Sequence, residues 1–433
     1  MRLNEIENGE LRVENWRECK LGDICDVKGG KRLPKGSNLI TDKTNHPYIR
    51  IRDMYQYKYI ENNGELEFVS DETFKAISKY IVNSGDVIIA IVGNTIGLVS
   101  LIGKSLDKAS LTENCVKLVN LRNCLAEFIY YYLTTDIGQS QIKSKIVGTS
   151  QPKLPIYGVQ DIRITLPQIE EQSKIVNILS VLDQKIETNN QINKKLEEMA
   201  QAIFKQWFVD FEFPSEDGEP YKSSGGEMIE SEMGMIPKGW EVKELRELCD
   251  ILTKSEKPFE NPEKIYEHFS LPACDKGKLA AIECGKNINS NKYKIDSSCI
   301  LISKLNPNTK RIWDPWCRSE NAICSTEFIV FKPKIKKLKP FCYEVINSDR
   351  FTEFLLANVT GSTGSRQRVQ PKSTLNFKFV LPERKMIESL CNLIKPMHDK
   401  VKFNIQENTR LKDIRDILIP KLMSGEIRVP LNN

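Results

Sequence analysis

Hydrophobic positions along the chain fall into two patterns, and each pattern occurs twice. The first is a short apolar run bounded by turn residues, the signature of a buried strand. Residues 86–92 and 115–119 carry it early in the chain, and residues 299–302 and 328–331 repeat it later. Residues 127–134 and 138–146, and again 341–347 and 350–357, read as helices that follow these strands. The second pattern is a long helical stretch with apolar residues at alternating steps of four and three. It covers 168–208 without a proline or glycine and returns over 383–423, where Pro396 and Pro420 interrupt it.

The stripe of the first stretch is Ile175, Leu179, Leu182, Ile186, Asn189, Asn193, Leu196, Ala200 and Ile203. That of the second is Leu390, Ile394, Met397, Val401, Asn404, Asn408, Leu411, Arg415 and Leu418. A sustained period of about 3.5 residues predicts a coiled-coil seam. Both stripes carry two Asn in the middle. A buried Asn costs stability but fixes register, because an Asn facing Leu would be left unpaired. The two helices are therefore expected to pair with each other. Antiparallel pairing needs only a short connection from the end of the first helix to the second unit, and would put the two globular units at opposite ends.

The chain also repeats in identity. Trp16-Arg17-Glu18-Cys19-Lys20-Leu21 matches Trp240-Glu241-Val242-Lys243-Glu244-Leu245, and Leu166-Pro167 matches Leu381-Pro382. The expected fold is α+β: two repeated α/β units separated by an antiparallel two-helix coiled coil, related by a pseudo-twofold. The boundaries read as a first unit at 1–167, a first spacer helix at 168–209, a linker or collar at 210–239, a second unit at 240–382, a second spacer helix at 383–423 and a tail at 424–433. Pro214, Gly218, Pro220, Gly225 and Gly226, with an acidic excess, mark the linker.

Composition narrows the function classes. With 433 residues, 28% charged and 40% hydrophobic, the chain has enough apolar content for real cores, which excludes wholesale disorder. No apolar run approaches the roughly 20 residues of a bilayer helix, and residues 1–18 lack the apolar core of a secretory signal, so a cytoplasmic protein without a membrane role is expected. The twelve cysteines form no CxxC pair and only His46, His268 and His398 accompany them, so no metal site is expected and the thiols should be reduced. The net charge of +5 permits nucleic-acid binding without proving it.

Candidate chemistry lies in the loops. Gly29-Gly30-Lys31-Arg32-Leu33-Pro34-Lys35-Gly36 is basic and glycine-rich but lacks P-loop spacing. Lys31, Arg32 and Lys35 suit phosphates. Arg50 and Arg52 would share one face of a strand at 48–52. Asn94 and Thr95 follow the buried strand of the first unit, and Thr149, Ser150, Gln151 and Lys153 precede its long helix. In the second unit Lys304, Asn306, Lys310 and Arg311 follow the matching strand, and Arg366, Gln367 and Arg368 precede the second helix. Forked donors on Arg, Asn and Gln match guanine and adenine edges in the major groove. Equivalent loops with different side chains suggest one scaffold reading two targets. Trp313 and Trp316 fit a core or interface better than base stacking. Catalytic motifs are missing: Asp314-Pro315-Trp316 lacks the second proline of an amino-methyltransferase tetrad, and no dinucleotide, zinc-protease or nucleophile-elbow motif occurs. No catalytic residue and no cofactor on this chain are expected.

These features together resemble the specificity (S) subunit of type I restriction-modification systems, over nearly the whole chain. The marks are the run at 29–35, Gly85-Asp86-Val87, Leu166-Pro167 followed by Ile169-Glu170-Glu171-Gln172, Gly234-Met235-Ile236-Pro237-Lys238-Gly239-Trp240 and Leu422-Met423-Ser424-Gly425-Glu426. The resemblance implies that each unit is a target recognition domain reading one half of an asymmetric, bipartite double-stranded DNA site. It implies a coil that acts as a ruler and docks two modification subunits, which bring S-adenosylmethionine and methylate adenine N6. Restriction subunits would bring ATP, Mg, the motor and the nuclease. The stripe from Ile175 to Ile203 would span roughly 42 Å, against roughly 34–36 Å per turn of B-DNA. One departure is Lys254-Ser255-Glu256-Lys257-Pro258, which stands where the second copy would carry the basic loop. Two rival readings are a self-contained DNA methyltransferase or nuclease, and a coiled-coil scaffold without DNA binding.

Overall fold

The computed structural model describes residues 16–54, 58–62, 64–360 and 367–430. Packing divides the chain into one unit of residues 1–184 with 411–433, and another of 185–410. The division falls inside the long helices rather than at 167 and 382, because each unit packs its globular part against a stretch of both helices.

In the first unit a five-stranded sheet runs in the order Asp26–Gly29, Cys115–Val119, Val87–Ala90, Val99–Ile102 and Tyr59–Ile60. The central strand shows why the sequence reads as a continuous apolar run. Val87 and Ile89 face a core that includes Phe128, Ile129 and Leu133, whereas Ile88 and Ala90 face a second core with Ile49 and Leu111. Alternate residues point to opposite faces, and both faces are covered. Helices Ala126–Thr134 and Asp136–Ser144 cover the first face, and the Thr135 hydroxyl caps the second helix by accepting from the Gly138 N–H at 3.0 Å. Arg17–Lys20 pairs antiparallel with Arg163–Leu166 just before the long helix.

The second unit repeats this plan. Cys249–Ile251, Phe328–Pro333, Ile300–Ser303 and Ile312–Trp313 form a sheet in that order. Helices Lys339–Asn347 and Asp349–Ala357 follow, joined by Ser348, whose hydroxyl accepts from Phe351 N–H. Glu241–Glu244 pairs with Lys378–Leu381 as Arg17–Lys20 pairs with Arg163–Leu166. The duplicated α+β architecture read from the sequence is therefore borne out.

One expectation is corrected. Residues 48–52 are not one strand: Pro47–Ile49 is a strand and Ile51–Met54 a 3-10 turn, because Asp53 Oδ2 accepts from the Arg50 N–H at 2.7 Å and bends the chain. In the collar at 210–239, Phe213 stacks on Trp240 at 4.7 Å and on Tyr221 at 4.5 Å, and Met228–Ser231 forms a hairpin with Gly234–Pro237. Residues 424–430 are anchored, since Arg428 Nε and Nη2 reach the buried Glu171 carboxylate at 2.8 and 3.0 Å.

The long helices are Ile169–Phe208 and Arg384–Met423, 40 residues each. Pro396 and Pro420 lie inside the second without ending it; both are exposed, where water can take the carbonyl left without a donor. Within the second unit the helices pair antiparallel. Asn189 Nδ2 donates to Asn408 Oδ1 at 2.8 Å, Asn404 Nδ2 to Asn193 Oδ1 at 2.8 Å, and Asn408 Nδ2 to Asn190 Oδ1 at 2.8 Å. Ile186, Leu390, Ile394 and Val401 are buried alongside, with Leu196, Ile203 and Met397 half-buried. In the first unit Ile175 and Leu179 pack in one core with Leu422 and Met423, and Leu182, Leu411 and Leu418 are half-buried. Arg415, on the stripe, forms an ion pair with Asp183 at 3.0 Å.

Candidate nucleic-acid interface

At one end of the first unit, backbone hydrogen bonds gather four loops that are far apart in sequence. Gly30 N donates to Cys115 O and Lys31 N to Leu111 O, Ile91 N to Asn114 O, Leu154 N to Ile91 O, and Lys153 pairs with Val147 in both directions. The close approach at residue 30 requires glycine: a Cβ there would lie 2.0 Å from the Thr112 carbonyl oxygen. The basic loop, the 93–97 turn, the 112–114 turn and the 147–153 loop thus form one surface.

Its side chains are of two kinds. Arg32 Nε holds Glu113 at 2.7 Å, and although burial opposes ionisation of Glu113, Arg32, a backbone N–H and the Thr112 hydroxyl together outweigh it and keep that carboxyl below its ordinary range. Lys31 lies 5.4 Å from the Tyr80 ring centroid. Lys35 and Lys153 are exposed and take no ion-pair partner among the described residues, and Asn94, Thr149, Ser150 and Gln151 are exposed beside them. Thr95 turns inward, donating its hydroxyl proton to Val92 O at 3.1 Å. Arg50 and Arg52 converge on Glu67 rather than on the loop surface, Arg52 at 3.1 Å. The strand reading failed there because it missed the Asp53 turn.

In the second unit the corresponding loops meet in the same way. Asn306 N donates to Gln367 O at 2.9 Å and Val369 N to Lys304 O at 3.1 Å. Arg368 is held by both oxygens of Glu327 at 3.1 and 3.2 Å, and Arg311 by Asp275 at 2.6 Å. Lys310 donates to the Asn347 carbonyl, and burial pulls its ammonium below the ordinary lysine range. Lys304 and Gln367 are half-buried. Arg366 lies outside the described residues. The anchoring carboxylates Glu113, Glu67, Glu327 and Asp275 were missed from sequence, since each is remote from its arginine in the chain. Trp313 is buried and Trp316 is exposed. Among the described residues no group of His, Cys, Asp or Glu is arranged to hold a metal ion.

The sequence profile of the type I restriction modification DNA specificity domain matches residues 13–198. The chain is 25% identical over 444 residues to the type I restriction enzyme MjaIX specificity subunit of Methanocaldococcus jannaschii, covering 99% of this chain and 96% of that one. It is 24% identical over 486 residues to the HindI specificity subunit of Haemophilus influenzae, covering 96% of this chain and all of that one. The chain is similar to type I restriction-modification specificity subunits over nearly its whole length. A solved S subunit from M. genitalium shares the fold at a TM-score of 0.56 and 17% identity, with 99% of both chains covered. No helix among the described residues is long and apolar enough to cross a membrane.

Proposed function

We propose that the gathered loops of each unit read one half of an asymmetric bipartite double-stranded DNA site. The observation that carries this is the shared loop geometry with unlike side chains. The 91–97 loop lies against 147–153 in the first unit and the 304–311 loop against 367–369 in the second, with Asn, Thr, Gln and Lys in one and Lys, Asn, Gln and Arg in the other. Lys35 and Lys153 contact phosphates, and Asn94 and Gln151 meet base edges. In the second unit Lys304 and Gln367 are the available groups, whereas Arg311 and Arg368 shape the loops through their carboxylates.

The long helices dock two modification subunits, supported by an outward apolar strip in each unit. Ile178, Val181, Ile414 and Ile417 are exposed in the first unit, and Met199 and Leu393 in the second. Counted from its own helix start, Leu393 stands where Ile178 does and Met199 where Ile414 does. The modification subunits supply S-adenosylmethionine for adenine-N6 methylation, restriction subunits supply ATP hydrolysis with Mg and cleavage, and the complex works in the cytoplasm. The test is to exchange residues 16–167 for those of a relative and map N6-methyladenine in cellular DNA. One half of the methylated motif changes and the other stays; a change in both halves overturns the assignment.

A further inference from the structure

The two units differ at one matched place. In each, the nine-residue helix after the sheet touches a long helix through its sixth residue: Tyr131 in Ala126–Thr134 and Glu344 in Lys339–Asn347. In the first unit Tyr131 Oη donates to Asp183 Oδ2 at 2.5 Å. In the second, Glu344 Oε1 meets His398 Nε2 at 2.8 Å. Asp183 and His398 hold the same position, counted from the starts of their long helices, and so do Arg415 and Ala200.

The first unit fills this place with an ammonium group of its own. Lys58 Nζ donates to Tyr131 Oη at 2.7 Å and lies 3.6 Å from Asp183. The rings of Tyr131, Tyr59 and Tyr130 surround it at 4.3, 5.4 and 5.8 Å from their centroids. An amine in an aromatic box with a carboxylate at its base is a stable arrangement, because the ring faces and the anion both attract the cation.

The second unit has aromatic side chains about a half-open cleft. Trp313, Trp316 and Tyr343 line it, with Glu267 and Glu344. Glu267 and Glu344 are 4% and 2% exposed. The other carboxylates of the cleft are matched by lysines, Glu197 by Lys278 at 3.5 Å and Asp314 by Lys402 at 2.5 Å. Among the described residues Glu267 accepts only from the backbone N–H groups of Arg318 and Ser319, at 2.7 and 3.4 Å, and Glu344 has His398. Where the first unit has Arg415, the second has the short Ala200, buried in the core with Phe204 and Phe341.

We propose that this cleft binds a small organic amine, whose ammonium occupies the place that Lys58 fills in the first unit and whose apolar body lies against Trp313 and Trp316. The bound amine joins the recognition sheet at Trp313, its covering helix at Glu344 and the long helix at His398. Asn347, which lines the cleft, also takes Lys310 of the 304–311 loop on its carbonyl.

The test is calorimetric titration of the full chain, in phosphate buffer, with benzylamine, benzyl alcohol and benzoate. One benzylamine binds per chain, at least about tenfold more tightly than the neutral alcohol, and benzoate does not bind. Glu344→Gln keeps an acceptor for His398 and weakens benzylamine about tenfold; Trp316→Ala, a truncation at an exposed position, weakens it several-fold. Equal affinity for benzylamine and benzyl alcohol, unchanged affinity in both variants, or no benzylamine binding at millimolar concentration would each overturn the proposal.

Discussion

At the residue scale, cations on the proposed DNA surface differ in whether the protein has already neutralised them. A lysine without a partner releases a counterion when it meets a phosphate, whereas an arginine bound to a carboxylate must first give up that contact. Lys35→Ala and Lys153→Ala should therefore each flatten the slope of log affinity against log salt by about one, across all sequences. Arg32→Ala should flatten it less, because Glu113 already holds the guanidinium at 2.7 Å. Fluorescence anisotropy of a labelled duplex over a salt series measures all three. A different residue sets the acid limit of the second unit. Burial opposes ionisation of Asp314, but Lys339 and Lys402 outweigh it and hold the carboxyl below the ordinary aspartate range. A depressed carboxyl contributes stability that is complete above its unfolded value, near pH 4, and is lost as pH falls toward the folded value. Burial of Lys339 lowers the pKa of that ammonium, a change felt only at alkaline pH. Asp314→Asn leaves two lysines facing each other without a counterion. It should cost about 3–5 kcal/mol at pH 7 and flatten the stability curve below pH 4, as followed by urea unfolding across pH.

Elements were more legible than contacts. The apolar period over 168–208 and 383–423 located both long helices to within a residue or two, because a stripe buried along so many turns leaves a regular trace. The strand at 115–119 and the paired helices after each sheet were legible for the same reason. The 48–52 segment misled because a single Asp side chain, bonding to a nearby N–H, decides between strand and turn. The helix through Pro396 misled because a proline's cost depends on which face it occupies. Loop neighbours were invisible: nothing local says that residue 30 lies against residue 112, or that Glu327 will hold Arg368. The Asn positions on the two stripes suggested register, and in the structure Asn189 meets Asn408 and Asn193 meets Asn404. That pairing carries its own prediction. Asn408→Leu should destabilise the second unit by about 1–3 kcal/mol, since it leaves the buried Asn189 without that partner. Asn189→Leu combined with Asn408→Leu should recover much of that loss, because the Asn189 Oδ1 is buried with no partner among the described residues and the seam gains apolar area. A double-mutant cycle by thermal unfolding gives the coupling; additive losses would show that the pair does not act together.

At the scale of the whole molecule, duplication with divergence gives the two units unequal apolar strips as well as unlike loops. The strip in the first unit is Ile178, Val181, Ile414 and Ile417, all aliphatic and branched, with Ile417 60% exposed. The same helix positions in the second unit hold Leu393, Pro396, Met199 and Ala202, a smaller apolar surface. Hydrophobic attraction scales with the area removed from water. If both strips receive the same modification subunit, the first strip should hold its copy more tightly, and dilution should release the copy on the second strip first. Val181→Asp with Ile417→Lys places charges at the middle of the stronger strip without touching the buried seam. The stability of the isolated chain should change by less than about 0.5 kcal/mol, as expected for exposed positions. Native mass spectrometry of the reconstituted complex should then show one modification subunit per chain instead of two, held at the weaker strip. Two subunits retained at unchanged affinity would show that modification subunits bind elsewhere on the molecule.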